Sequence, residues 1–222
     1  FAPIIKRFVS LKDHATDVAQ EMKALKTALD DPTFKVPWSE LLTAARWHDV
    51  GKAHEVFQSM LVEPLPENDL RRSGGPWAKS DHKKGRPNRK HFRHELASAL
   101  VLLQHKESDL AAYLAAAHHG KVRLSIRSLP DEKMPADGKR FARGIWEGDP
   151  LPSVDLGDGV LTQALVLNLS FMEMGEGAHG PSWLERMIRL RDHYGPFKLA
   201  WMETLVRVAD WRGTAKEGEV NA

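Results

Sequence analysis

Apolar residues recur at helical spacing in several stretches, separated by clusters of proline, glycine and acidic residues. Between Ser10 and Leu29, the residues Leu11, Val18, Met22, Leu25 and Leu29 fall near one face, which predicts a helix. Ser10 is placed to cap it, with Asp13 three residues on as the reciprocal partner, and Asp30-Asp31-Pro32 ends it. A second helix starts at Pro37 or Ser39 and runs through Leu41, Leu42 and Ala45 to Asp49, with Gly51 read as a left-handed cap. Ala53 to Leu61 predicts a short third helix. His94 to His105 puts Leu96, Ala99, Leu100 and Leu103 on one side. Asp109 to His119 is rich in alanine, so its helix is expected to lie close against neighbours, and Gly120 ends it. Pro181 to Tyr194, with proline in the first turn, and Phe197 to Arg212 complete the helices.

Two segments break this pattern. Pro64 to Lys90 has almost no periodic apolar residues and reads as a long mobile loop. From Arg71 to Arg93 it carries nine Lys or Arg against one acid, Asp81. Val122 to Val160 is punctuated by prolines and glycines and leaves room for a small β-hairpin between Arg143 and Val154. Leu161 to Met172 fits a helix or an extended segment equally by period. The expected fold is mainly α: a single-domain helical bundle with one long basic loop, about residues 64–90, and one irregular excursion.

Composition narrows the chemistry. At 222 residues the chain can build one substantial core. It has no cysteine, which excludes disulfides, thiolate metal sites and cysteine nucleophiles and fits a reducing, cytoplasmic setting. It has 11 histidines, so any transition-metal site must use imidazole and carboxylate. A formal net charge of +2 is too small to argue for nucleic acid by itself. No apolar run approaches the roughly 18–20 residues of a membrane span, and Phe1 to Lys6 lacks the pattern of a secretory signal. Phe1 stands where an initiator methionine would be, which fits a piece of something longer.

Five stations carry candidate metal chemistry. His48-Asp49 at a helix end offers an imidazole nitrogen and a carboxylate oxygen to one ion, or is simply a polar helix end beside Lys52. His118-His119 closes an apolar helix, where two histidines are costly to bury unless bonded. Alternatively both sit at the surface, favoured by the helix dipole. His91 and His94 share a helix face at three-residue spacing; His94 heads the apolar face and is preferred, while His91 borders the basic loop. Asp210 follows Val208-Ala209 on an apolar face and wants a partner, which Arg207 or Arg212 could equally supply. His14 completes the set, or is a first-turn surface residue.

The order His, His-Asp, His, His-His, Asp resembles the HD superfamily of metal phosphohydrolases. Four longer matches narrow the resemblance: His48-Asp49-x-Gly51-Lys52, Arg93-His94-Glu95-Leu96-Ala97-Ser98, Ala117-His118-His119-Gly120-Lys121, and Gly195-Pro196-Phe197 with Glu203-Thr204-Leu205-x-Arg207-x-Ala209-Asp210-Trp211. From about His14 to Thr214 the chain is similar to the HD nuclease domain of CRISPR type I interference helicase-nucleases. The resemblance implies that His14, His48, Asp49 and Asp210 hold one metal. It implies that Asp49 bridges to a second metal on His94, His118 and His119, with Lys52 at the scissile phosphate. It implies endonucleolytic or exonucleolytic cleavage of single-stranded DNA by water activated between two divalent ions. Manganese, iron, cobalt, nickel or zinc suits the ligand types better than magnesium. The implied partners are a superfamily 2 helicase and a CRISPR type I effector complex. No Walker-type loop is visible, so the helicase is expected as a separate chain or as a part beyond this one.

The basic loop gives DNA a footing of its own. Arg71, Arg72, Lys83, Lys84, Arg89 and Lys90, with Lys52 nearer the metals, can track a phosphate backbone while Trp77 stacks on a base; a merely solvated basic loop is the plainer alternative. Two rival functions stay open. One is an HD phosphohydrolase acting on small nucleotides; the other is a non-catalytic, metal-stabilised adaptor that docks a helicase.

Overall fold

The computed structural model describes residues 7–83 and 85–219, with the side chain of residue 219 excepted. Seven α-helices dominate the described residues: α1 (Leu11–Leu29), α2 (Trp38–Trp47), α3 (Glu55–Val62), α4 (His94–Gln104), α5 (Asp109–Ala117), α6 (Trp183–Tyr194) and α7 (Pro196–Glu219). The expected mainly helical bundle is what the chain forms. Ser10 Oγ caps α1 by accepting from the Asp13 N–H at 3.0 Å. Ser108 and Ser182 do the same for α5 and α6.

Helix α5 lies at the centre. Ala111, Ala112, Ala115, Ala116 and Ala117 are all buried, and such small side chains let neighbouring helices come close. Around it pack α2, α4, α6 and α7, while α1 lies against α2 and α7. The apolar faces of α1 (Leu11, Val18, Met22), α4 (Leu96, Leu100, Leu103) and α7 (Met202, Val206, Ala209) join one core. Among the described residues no helix is long and apolar enough to cross a membrane.

Several boundaries differ from the expectation, each for a physical reason. Helix α2 stops at Trp47, and a 3-10 turn over Val50–Ala53 follows. Gly51 sits inside that turn without a positive φ, so it is not a left-handed cap. Its role is close approach. A Cβ at Gly51 would lie 2.2 Å from the His94 carbonyl oxygen and 2.7 Å from both Ala97 Cβ and Ser98 N. Pro181 lies outside α6, which Ser182 caps. Helix α7 runs seven residues past Arg212.

The strands come as four antiparallel two-stranded pairs. β1 (Val9–Ser10) pairs with β2 (Trp77–Lys79), so the expected loop over 64–90 contains a strand and a 3-10 turn at Leu70–Arg72. In the excursion, β3 (Phe141–Ala142) and β4 (Ile145–Trp146) flank a two-residue turn with positive φ at Arg143 and Gly144, the type I′ geometry of hairpins. The hairpin is therefore shorter and earlier than Arg143–Val154. β5 (Pro150–Leu151) pairs with β6 (Leu165–Val166), and β7 (Glu176–Gly177) with β8 (Gly180–Pro181). Leu161 to Met172 is extended and then 3-10, not α-helical.

The 3-10 turn after α2 is pinned to α4 by one buried hydrogen bond, from the Gly51 N–H to Ser98 Oγ at 2.9 Å. Ser98→Ala strands that N–H in the interior. It is expected to lower stability by about 1–3 kcal/mol, read as a reduced urea midpoint at unchanged slope.

Candidate metal centre

Each of the expected stations reaches the same place by a different element. His14 comes from the first turn of α1, His48 and Asp49 from the end of α2, and His94 from the first residue of α4. His118 and His119 follow α5, and Asp210 comes from α7. Asp49 is central. Its Oδ2 faces His14 Nε2 at 3.1 Å and His48 Nε2 at 3.4 Å. Its Oδ1 faces His94 Nε2 at 3.1 Å and His118 Nε2 at 3.8 Å. Asp210 Oδ1 closes the first side, 3.4 Å from His14 Nε2 and 3.8 Å from His48 Nε2. His119, exposed, closes the second, its ring 5.4 Å from that of His94.

These nitrogens point inward because their other ring atoms are held from behind. His48 Nδ1 donates to the Ala45 carbonyl at 2.8 Å and His118 Nδ1 to the Ala115 carbonyl at 2.6 Å. Both bonds run from residue i to i−3, which the unwinding helix end permits. His14 Nδ1 is held by Glu217 Oε1 at 2.6 Å. The Nε2 atoms are thus left facing carboxylate oxygens, where either a proton or a metal ion can sit between them.

This arrangement fits a cation. Nine buried side-chain nitrogens and oxygens lack a hydrogen-bond partner among the described residues, and five of them are His14 Nε2, His48 Nε2, His94 Nε2, His118 Nε2 and Asp49 Oδ1. Unpaired buried polar atoms are rare because each is costly. Ligands about 2.0–2.2 Å from a shared ion lie about 3.0–3.5 Å apart, close to the spacing seen. Three overlapping groups could hold an ion: His14, His48 and Asp210; His48, Asp49 and His118; and His94, His118 and His119. The ordinary partners for Asp210 are engaged elsewhere: Arg212 pairs with Glu21 at 3.2 Å, and Arg207 donates to the His118 carbonyl at 2.8 Å. His91 lies outside the cluster, 2.7 Å from Asp131.

Charge divides the cluster into two halves. Burial opposes a charge on His48, but Asp49 and Asp210 outweigh it and push its pKa up to about 10. Burial and the Lys79 ammonium oppose charge on His14, yet Asp210, Asp49 and Glu217 leave its pKa raised. The two carboxylates are held well below the usual range despite burial, Asp49 by Lys52 and His48, Asp210 by His14 and His48. On the other half, burial and neighbouring imidazoles drive His118 well down and His119 down to about 4.

On the first half a metal at His48 would therefore replace a proton. A pKa raised above the working pH means that binding must displace the proton, so metal affinity falls as pH falls. Calorimetric heats of Mn²⁺ binding at pH 7 are expected to vary with the buffer's ionisation enthalpy, by at least about one proton released per chain. Heats independent of buffer would contradict this.

Lys52 is buried and bonded to Asp49 Oδ2. Its ammonium lies 5.5 Å from the centre of the Phe57 ring. The other expected DNA contacts are placed differently. Arg71 pairs with Asp69 at 2.6 Å and Asp81 at 3.1 Å, and Arg72 donates to the Leu65 and Glu63 carbonyls. Arg89 pairs with Asp149 at 2.5 Å, and Lys90 lies 3.7 Å from Asp131. Trp77 packs edge-on against Phe8 and donates Nε1 to the Arg71 carbonyl. Lys83 is exposed, and Lys84 lies outside the described residues. Arg71, Arg72 and Trp77 thus bond within the segment and at its entry, while Arg89 and Lys90 tie it to the excursion, so these side chains are not a mobile run of free charges.

The buried acids to which the sequence assigns no candidate role include Glu217, Glu95 and Glu203. Glu217 backs His14; Glu95 lies with Oε2 3.5 Å from His94 Nδ1; Glu203 accepts from the Tyr113 hydroxyl and pairs with Arg123 at 2.7 Å. Glu95 and Glu203 stand inside the matched motifs, so that position was their only signal. Glu217 gave none.

No curated protein and no solved structure matches the chain. A family model does, described as Cas3, HD domain, over residues 5–217. With that match and a centre built from His48-Asp49, the chain belongs to the Cas3 HD-domain family, metal-dependent nucleases of the HD superfamily in CRISPR defence.

Proposed function

We propose that this chain is the nuclease domain of a CRISPR type I system and hydrolyses phosphodiester bonds of single-stranded DNA at a two-metal centre. The observation that carries this reading is the set of buried imidazole nitrogens without a hydrogen-bond partner on both sides of the Asp49 carboxylate. His14, His48, Asp210 and Asp49 Oδ2 would hold one ion. His94, His118, His119 and Asp49 Oδ1 would hold the other. The mixed imidazole and carboxylate set suits manganese, iron, cobalt, nickel or zinc better than magnesium. When bound, such a pair supplies a water of lowered pKa and positive charge at the attacked phosphoryl group.

The chain's own residues prepare the rest. Backbone carbonyls fix the rings of His48 and His118, so these ligands need no reorganisation. Arg207 ties the His118 turn to α7 and so fixes the distance between the halves. Lys52 has a buried ammonium beside Asp49, placed to pass to a phosphate oxygen once Asp49 is engaged by metal. Exposed His119 marks the side on which a strand can reach the centre. A superfamily 2 helicase, recruited by a type I effector complex, would deliver that strand.

The test is cleavage of circular single-stranded DNA by the chain, with each candidate metal supplied in turn. Wild-type protein is expected to cut it. Lys52→Met is expected to cut about 10²-fold more slowly while binding the same number of ions. Wild-type protein that leaves the DNA intact with every metal overturns the reading.

A further inference from the structure

The two halves of the centre share a plan that the ligand set alone does not reveal. In each, one histidine is held by a backbone carbonyl, His48 by Ala45 and His118 by Ala115. In each, a second histidine has a buried carboxylate behind it, His14 with Glu217 and His94 with Glu95. The Glu217 pairing is the tighter: Oε1 meets His14 Nδ1 at 2.6 Å, against 3.5 Å for Glu95 and His94. The Glu217 side chain is 0% exposed, and its second oxygen is paired with Lys79 Nζ at 2.9 Å.

A fully buried carboxylate is unfavourable unless something in the native state uses it. Here both oxygens are used, and α7 supplies the geometry. Asp210, Thr214 and Glu217 recur at helical spacing, so one face of one helix carries an oxygen for His14 Nε2 and another for His14 Nδ1. The depth of contact comes from Gly213. A Cβ there would lie 2.9 Å from Val18 Cγ2 and 3.2 Å from Val18 N. Val18 is one turn beyond His14 on α1, and Glu217 is one turn beyond Gly213 on α7. The antiparallel close approach at Gly213 thus sets Glu217 against His14.

We infer that Glu217 is a positioning residue: by accepting from His14 Nδ1–H it fixes which nitrogen of His14 faces the centre, and so sets the affinity of the His14–His48–Asp210 half for its ion. The inference rests on the two-metal reading. Lys79 Nζ also comes within 3.4 Å of His14 Nδ1, but the Glu217 oxygen is nearer that nitrogen at 2.6 Å, and the ammonium is bonded instead to Glu217 Oε2 at 2.9 Å and to Thr214 Oγ1, so Nδ1 donates to the carboxylate and Lys79 balances its charge.

The experiment is titration of the metal-free full chain with Co²⁺, followed by visible absorption and calorimetry, with a parallel set of variants. Wild-type protein is expected to take up two ions. Glu217→Leu, similar in size but with no acceptor, is expected to weaken one step about 10–100-fold and leave the other in place. Glu217→Gln, which keeps an acceptor oxygen, is expected to recover most of the loss. Two wild-type affinities in folded Glu217→Leu would overturn the inference. Nitrogen-15 NMR of the zinc-loaded wild-type protein tests it with no variant at all: His14 must carry its proton on Nδ1, and a proton on Nε2 would overturn it. Wild-type protein that takes up no ion, or one alone, fails the two-metal reading instead.

Discussion

Asp49→Ala is expected to remove nuclease activity by at least about 10³-fold, on the order of 4 kcal/mol of barrier. It is the largest effect expected of any single substitution here. Among the described residues Asp49 is the one carboxylate that faces both halves of the centre: Oδ2 looks to His14 and His48, and Oδ1 to His94 and His118. Losing it removes a ligand from each side at once. It also takes from Lys52, His14 and His48 one of their counter-charges and leaves them Asp210, so the buried positive charge of the metal-free variant is less well balanced. The measurement is cleavage rate together with metal uptake and far-ultraviolet circular dichroism. The expected result is a helical protein that takes up neither ion tightly. A helical variant that keeps wild-type cleavage contradicts the central role given to this carboxylate.

Gly51→Ala is expected to be the most damaging substitution for the fold, although it adds one methyl group. That methyl would stand 2.2 Å from the His94 carbonyl oxygen and 2.7 Å from Ala97 Cβ and Ser98 N. None of these is a flexible chain end. Either the 3-10 turn lifts off α4, or α4 shifts. Ordinary overpacking costs about 1–3 kcal/mol, and a clash with backbone places this case at or above the upper end. For a chain of this length, about 3 kcal/mol lowers the melting temperature by roughly 6–12 °C. The same movement separates Asp49 from His94, now 3.1 Å apart, so metal uptake should weaken with stability. Thermal unfolding with and without Mn²⁺ reads both effects. A variant that melts like wild type would show that the contact between this turn and α4 is looser than described.

Most of the centre could be read along the chain because its ligands sit at helix ends with recognisable surroundings. His48-Asp49 precedes a glycine, His118-His119 ends a run of alanines, and Asp210 follows Val208-Ala209. What sequence could not separate is two uses of one residue type. Gly51 looks like a helix cap, but its small size serves α4 packing across 47 residues of chain, as the bond to Ser98 shows. Gly213 misled in the opposite direction. A glycine followed by Thr214-Ala215-Lys216 gives no apolar period, which predicts a helix that ends at Arg212. It continues because Gly213 lies against Val18 and Glu217 is buried against His14.

The basic segment shows the limit of counting charges locally. Its acid partners are mostly remote: Arg89 finds Asp149, Lys90 finds Asp131, and Lys79 finds Glu217. A count over residues 71–93 sees one acid, whereas the fold brings these acids to the segment. The family resemblance carried the order of ligands but not this network, which lies between the motifs.

The central claim is that six imidazole and carboxylate groups converge with Asp49 around two cations. Anomalous scattering from crystals grown with Mn²⁺, recorded on both sides of the manganese edge, tests it most directly. The account expects two peaks flanking the Asp49 carboxylate, one bounded by His14, His48 and Asp210, the other by His94, His118 and His119. Crystals that hold manganese elsewhere, with Lys52 the sole partner of Asp49, contradict it.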